Sequence, residues 1–168
     1  LLLSLSGCTF KYPSPFLLWN DFKANRLLKS EKYDEALEEY YKMIESTPDW
    51  AGAHSNIGVI LSQNKKNEDA IKSLVYAQEL AEKSGDVKSL FAIQYNLGVL
   101  FGSEKKYQQA IDHYQEALKL VPASLETKTN IELLLQQQKQ EQEQKQKEEQ
   151  EKKKQEEDQK KDEQQDQS

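Results

Sequence analysis

Cysteine occurs once in this chain of 168 residues, histidine twice, proline four times and glycine six times, and no apolar run reaches the length of a membrane span. Each scarcity excludes something. A single cysteine cannot close an intramolecular disulfide. His54 and His113 fall far apart, with no Cys or His at ligand spacing beside either, so no metal site is expected. Crossing a bilayer takes ~20 consecutive apolar residues, and nothing here approaches that. The 23 basic and 29 acidic residues are interspersed, giving a net charge of −6 without the basic stripe that a nucleic-acid partner would need. No glycine-rich phosphate loop is present, since Gly58 and Gly98 each stand alone in helical patterns. Paired carboxylates such as Glu38 and Glu39 fall on an outward helical face, and the sequence offers almost no converging set of nucleophile, base and ligand. The expectation is a protein without catalytic residues, cofactor or metal.

Apolar residues are also missing from one end. None follows Leu135, and residues 136–168 hold 13 Gln, 8 Lys, 8 Glu, 3 Asp and one Ser. Such a segment cannot bury enough surface to offset the entropy of a packed fold. It reads as disordered or as a lone solvated helix, supported by i, i+4 pairs such as Glu149 with Lys153 and Glu148 with Lys152. No apolar residue marks a heptad seam, which argues against a paired coiled coil. The foldable part is residues 17–135.

Within that part the chain repeats itself. Aligning Ala36, Ala70 and Ala110 brings Ala24, Gly58 and Gly98 together twelve residues earlier, small residues where two helices must approach closely. Leu27, Leu61 and Phe101 align nine residues before the anchors, Tyr40, Leu74 and Tyr114 four after, and Met43, Ala77 and Ala117 seven after. Pro48 and Pro122 close the first and third units. This pattern resembles the tetratricopeptide repeat, a helix-turn-helix unit of ~34 residues. The predicted units are 17–50, 51–84 and 91–124. Gly85 to Leu90 are additional residues, read as an extended second helix turning at Ser84-Gly85-Asp86. Residues 125–135 predict a capping helix whose stripe of Ile131, Leu134 and Leu135 covers the last unit. The fold class expected is all-α, a solenoid of three helix pairs plus a C-terminal cap, because paired helices bury their apolar stripes only by stacking.

In tetratricopeptide proteins the first helices of successive units line a groove for a peptide segment of a partner. The resemblance assigns that face to Asp21, Asn25 and Leu28, then Ser55, Val59 and Ser62, then Tyr95, Val99 and Ser103. Repeats that grip a C-terminal carboxylate carry Lys or Arg together with Asn. Here Asn25 is present but Asp21 stands in the key basic position, so no carboxylate clamp is expected.

The N-terminus carries a second resemblance. Leu1 to Leu5 is rich in leucine, and Leu5-Ser6-Gly7-Cys8 resembles the lipobox of bacterial lipoproteins. That likeness implies a signal-peptide remnant over 1–7, diacylglycerol on Cys8, and a tether over 8–16 whose Pro13 and Pro15 interrupt any helix. The protein would be lipid-anchored on the periplasmic side of a bacterial membrane, and Thr9 after the cysteine favours the outer one. The whole arrangement, with Thr127-Lys128-Thr129-Asn130-Ile131-Glu132-Leu133 leading into a Gln-rich tail, resembles the repeat protein of the Bat (Bacteroides aerotolerance) operons. This implies a non-enzymatic envelope scaffold whose partners are von Willebrand A-type membrane proteins. A pilot-like lipoprotein for outer-membrane assembly or secretion, and a scaffold for peptidoglycan hydrolases, are the alternatives.

Overall fold

The computed structural model describes residues 15–165, with side chains placed for residues 17–155. The expected signal remnant 1–7, Cys8 and the tether through residue 14 lie outside the described residues. All regular structure among the described residues is helical: α1 (Pro15–Lys29), α2 (Tyr33–Ser46), α3 (Ala51–Gln63), α4 (Asn67–Ser84), α5 (Val87–Ser103), α6 (Tyr107–Leu120) and α7 (Leu125–Gln165). They pair as α1/α2, α3/α4 and α5/α6, followed by α7. The chain forms two compact units, one ending at Ile93 and the other beginning at Gln94.

A single device makes all three hairpins. Each first helix ends on a non-glycine residue in the left-handed region, Glu31 at φ 58°, Lys65 at φ 60° and Lys105 at φ 58°. The following amide reaches back five residues, from Lys32 to the Leu27 carbonyl, Lys66 to Leu61 and Lys106 to Phe101, at 2.9–3.0 Å. This closure satisfies carbonyls that the helix end would otherwise leave unpaired. Left-handed backbone costs a non-glycine residue ~1–2 kcal/mol, so the surrounding packing imposes the turn.

In the first unit α1 begins at Pro15, two residues ahead of the expected start, because proline is tolerated in a helix's first turn. Its Ala24 is fully buried, as are Ala36, Tyr40 and Met43 on α2, a spacing that puts one face inward. Gly58 of α3 admits α4. A Cβ there would lie 2.7 Å from Leu74 Cγ and 3.1 Å from the Ala70 carbonyl. The α4 helix runs 18 residues where α2 has 14, and stops at Gly85, which takes φ 71°. Asp86 then caps α5, accepting bonds from the Ser89 amide at 3.0 Å and the Ser89 hydroxyl at 2.6 Å. The extra residues therefore do not all extend the middle unit: Val87–Leu90 join the front of α5, ahead of the boundary expected at 91.

In the second unit Gly98 meets Tyr114 as Gly58 meets Leu74. A Cβ at Gly98 would stand 2.6 Å from two ring carbons of Tyr114. Ser124 caps α7, its hydroxyl 2.8 Å from Thr127 Oγ1. The buried stripe of α7 differs from the expected one. Thr127 is fully buried and Leu134 nearly so, whereas Leu135 is 49% exposed. Three- and four-residue steps from Thr127 pass through Asn130, Ile131, Leu134 and Glu141, and Leu135 falls off that face. Docking also continues past residue 135, with Tyr107 donating to Glu141 Oε2 at 2.9 Å. From Gln142 to Gln155 every side chain is exposed.

Gly98→Ala is expected to destabilise the chain by about 1–2 kcal/mol net, since overpacking costs ~1–3 kcal/mol while helix propensity returns ~1. Gly102→Ala meets the flexible end of Leu134 at 3.2 Å and the Ala110 Cβ at an ordinary 3.8 Å, and should be close to neutral. Urea unfolding of both variants checks the difference.

Candidate functional site

On α1, Asn25 uses its side-chain amide to donate to Asp21, both to the backbone carbonyl at 2.9 Å and to Oδ1 at 2.8 Å. Burial pushes the Asp21 carboxyl above its usual range, against the opposing pull of the Asn25 bond. Leu28 is partly exposed one turn further on. On α3, Val59 and Ser62 are also partly exposed, but Ser55 is only 5% exposed. Ser55 is therefore corrected from a groove residue to a packing residue: a side chain without free surface cannot meet a ligand. Between these helices Asn56 donates to the Tyr40 hydroxyl at 2.9 Å, joining α3 to α2. Asn56 is a participant the groove alignment omitted, though Asn56 and Asn96 each stand two residues before an aligned glycine, a visible signal.

The second unit's face differs. Tyr95 is not free: its hydroxyl donates to Glu126 Oε1 at 2.6 Å and accepts from the Asn130 amide at 3.0 Å. That amide also donates to Tyr114 at 3.2 Å, and the two tyrosine rings tilt together at 5.5 Å. Burial, with Tyr95 and Glu126 adding to it, pushes the Tyr114 phenol up to about 12. The cluster is locked by hydrogen bonds to neutral phenols. Val99 is 44% exposed. Ser103 lies one residue beyond the position equivalent to Leu28 and Ser62, which Gly102 occupies, and its hydroxyl donates to the Leu100 carbonyl at 2.7 Å. An open cleft of about 430 Å³ lies beside it, lined by Tyr107, Lys105 and the α7 residues Gln137, Gln140, Glu141 and Gln144.

The repeat-packing residues Ala24, Ala36, Gly58, Ala70, Gly98 and Ala110 are all buried. The histidines have local partners. His54 Nε2 lies 2.7 Å from the Pro48 carbonyl with its ring edge-on to Tyr76, and His113 Nδ1 lies 2.8 Å from Gln94 Oε1 with its ring stacked on Phe101. Among the described residues no group of three or more His, Cys, Asp or Glu could hold a metal ion.

Hairpins closed by a left-handed turn and seated on a small residue define a tetratricopeptide-repeat fold. Residues 51–123 match the family model described as the tetratricopeptide repeat. Among curated relatives, the Hsp70-Hsp90 organising protein of Plasmodium falciparum is 32% identical over 100 residues, covering 57% of this chain and 17% of the relative. The small glutamine-rich tetratricopeptide repeat-containing protein 2 of Mycosarcoma maydis is 28% identical over 102 residues, covering 61% and 27%. The chain thus spans about a sixth to a quarter of those relatives. Among solved structures, the Sgt2 repeat domain from Aspergillus fumigatus aligns with TM-score 0.66 at 16% identity over 78% of this chain and 84% of that one. The first repeat domain of Spaghetti (RPAP3), bound to the HSP90 peptide SRMEEVD, aligns with TM-score 0.61 at 22% identity over 71% and 90%. At these identities the agreement is one of fold.

Half-burial holds the His113 imidazole below its usual range, outweighing the upward pull of Asp112 and Glu116. A depressed histidine contributes stability above its unfolded value of about 6.5 and loses it as pH falls below that value toward the folded one. Melting temperature should fall more between about pH 7 and pH 5 in the wild type than in His113→Gln, as calorimetry across that range would show.

Proposed function

We propose that this chain is a non-enzymatic docking scaffold in which the exposed first-helix residues hold an internal segment of a partner protein. The observation that carries it is the first unit's pair of partly exposed edges, Asn25 and Leu28 on α1 with Val59 and Ser62 on α3, beside fully packed seams. Two proteins of similar fold hold partners: the first repeat domain of Spaghetti is bound to an HSP90 peptide, and the TPR2B domain of yeast Sti1 forms a complex with pHsp70. The Asp21 carboxylate, tied to Asn25, offers no cation to a peptide C-terminus. The segment bound is therefore internal to the partner. In the second unit, taken by itself, Val99 is exposed and Tyr95 serves chiefly to seat α7.

The setting proposed is the periplasmic face of a bacterial membrane, the outer one favoured, with Cys8 carrying the lipid. The partner class is the von Willebrand A-type membrane protein of a Bat-type stress-tolerance complex. The lipobox-like Leu5-Ser6-Gly7-Cys8 and the 127–133 segment support it. No helix among the described residues is long and apolar enough to cross a membrane; in this proposal the anchor is the acyl group on Cys8.

Two outcomes are expected. In-cell crosslinking should capture a defined protein whose recovery drops at least tenfold, ~1.4 kcal/mol, in Leu28→Asp with Val59→Asp, and binding of the responsible peptide should be indifferent to C-terminal amidation; unchanged recovery would remove the groove. Separately, radiolabelled palmitate should enter the wild-type protein and not Cys8→Ser.

A further inference from the structure

The first helix has an outward face that the scaffold role leaves unused. Leu18, Trp19 and Phe22 are 53%, 64% and 61% exposed, and the Trp19 and Phe22 rings tilt against each other at 6.1 Å. At 100° per residue Leu18, Lys29, Phe22, Arg26, Trp19 and Lys23 fall within a single arc of roughly 140°. The opposite side carries the buried Leu17 and Ala24. Trp19 lies beside Asn20, where an aromatic residue is usual in the repeat, yet it turns outward instead of into the hairpin.

We propose that this face of α1 docks onto an anionic bilayer surface, Leu18, Trp19 and Phe22 entering the headgroup boundary while Arg26 and Lys29 meet lipid phosphates. Aromatic and leucine side chains beside lysine and arginine on one helical face are what an interfacial helix requires. The charges are in place to do it. Lys23 is engaged by Glu39 at 3.0 Å, whereas Arg26 and Lys29 have no ion pair among the described residues, and the acid of the helix, Asp21, is bound to Asn25 off this arc. Arg26 also borders an open cleft of about 320 Å³ with Lys23, Leu27, Ser30 and Lys32, whose two lysines pair with Glu39 and Glu35 and leave Arg26 as the cleft's cation without an ion pair among the described residues.

A second copy of the chain fits this face less well. The three apolar side chains expose roughly 400 Å² together, about half of the ~800 Å² per partner that a stable interface buries. A two-fold contact would also set Arg26 and Lys29 close to their own copies. A bilayer surface needs no such area and supplies the opposite charge. The proposal rests on the membrane location argued above only for which bilayer is met, and it is tested on protein that cannot be acylated.

Full-length Cys8→Ser protein is sedimented with vesicles of phosphatidylcholine alone and of phosphatidylcholine mixed with phosphatidylglycerol. The expected result is binding to the mixed vesicles, reduced about thirtyfold in Arg26→Gln with Lys29→Gln and abolished in Trp19→Ala with Phe22→Ala, both variants keeping the wild-type melting curve. Absence of binding, or binding that neither pair of substitutions changes, overturns the proposal. So does concentration-dependent self-association without vesicles that Trp19→Ala with Phe22→Ala removes, which would assign the face to a second copy. Palmitate labelling of the wild type reports on Cys8 independently of either result.

Discussion

The close approach of two helix backbones at one small residue is the constraint on which each hairpin depends. At Gly98 the Tyr114 ring fills the space a Cβ would take, and at Gly58 the Leu74 side chain and the Ala70 carbonyl do so. Two helices that near each other bury the alanine-rich face of the second against the first, and dispersion contacts accumulate because no branch holds the backbones apart. The left-handed turns at Glu31, Lys65 and Lys105 are the geometric counterpart. They return the chain at the angle and register that place Ala36, Ala70 and Ala110 on the packed face.

Successive pairs are joined by a second recurrent contact. Asn56 donates to Tyr40 in the first unit and Asn130 donates to Tyr114 in the second, sixteen residues apart in both cases. By this measure α7 enters as the first helix of a further pair. Two residues after Asn56 stands Gly58, but two after Asn130 stands the exposed Glu132. A carboxylate there forbids the close return of another helix, so α7 runs on, docked as far as Glu141 and exposed thereafter. The Asn130 amide that seats α7 also takes up Tyr95. The two units consequently present different faces: the first keeps Asn25, Leu28, Val59 and Ser62 accessible, and the second leaves mainly Val99.

Much of the fold was legible because steric demands are written in residue size. The Ala and Gly columns announced three hairpins and their register. The αL turn residues were not legible, since Glu and Lys carry no local signal for positive φ and take it only when both flanking helices are already packed. The division of the extra residues between α4 and α5 followed from Gly85 and Asp86 acting as consecutive stop and start signals, which a count of spacing treats as a single insertion. Ser55 read as a groove residue by alignment, yet burial depends on the neighbouring helices. Trp19 stands one residue before Asn20, the position where the repeat usually carries an aromatic, and a one-residue offset rotates a helical side chain by 100°, which leaves Trp19 on the surface.

From residue order alone came the helical periodicity, the small-residue seams and the end of the apolar content at Leu135, because each is a local property of type and spacing. The tertiary structure decided which side of each helix is covered, that Tyr95 and Tyr114 share one amide, and that α1 is left with an aromatic and basic outer face. Those outcomes depend on which side chains meet across helices distant in sequence, and spacing along one helix does not specify them.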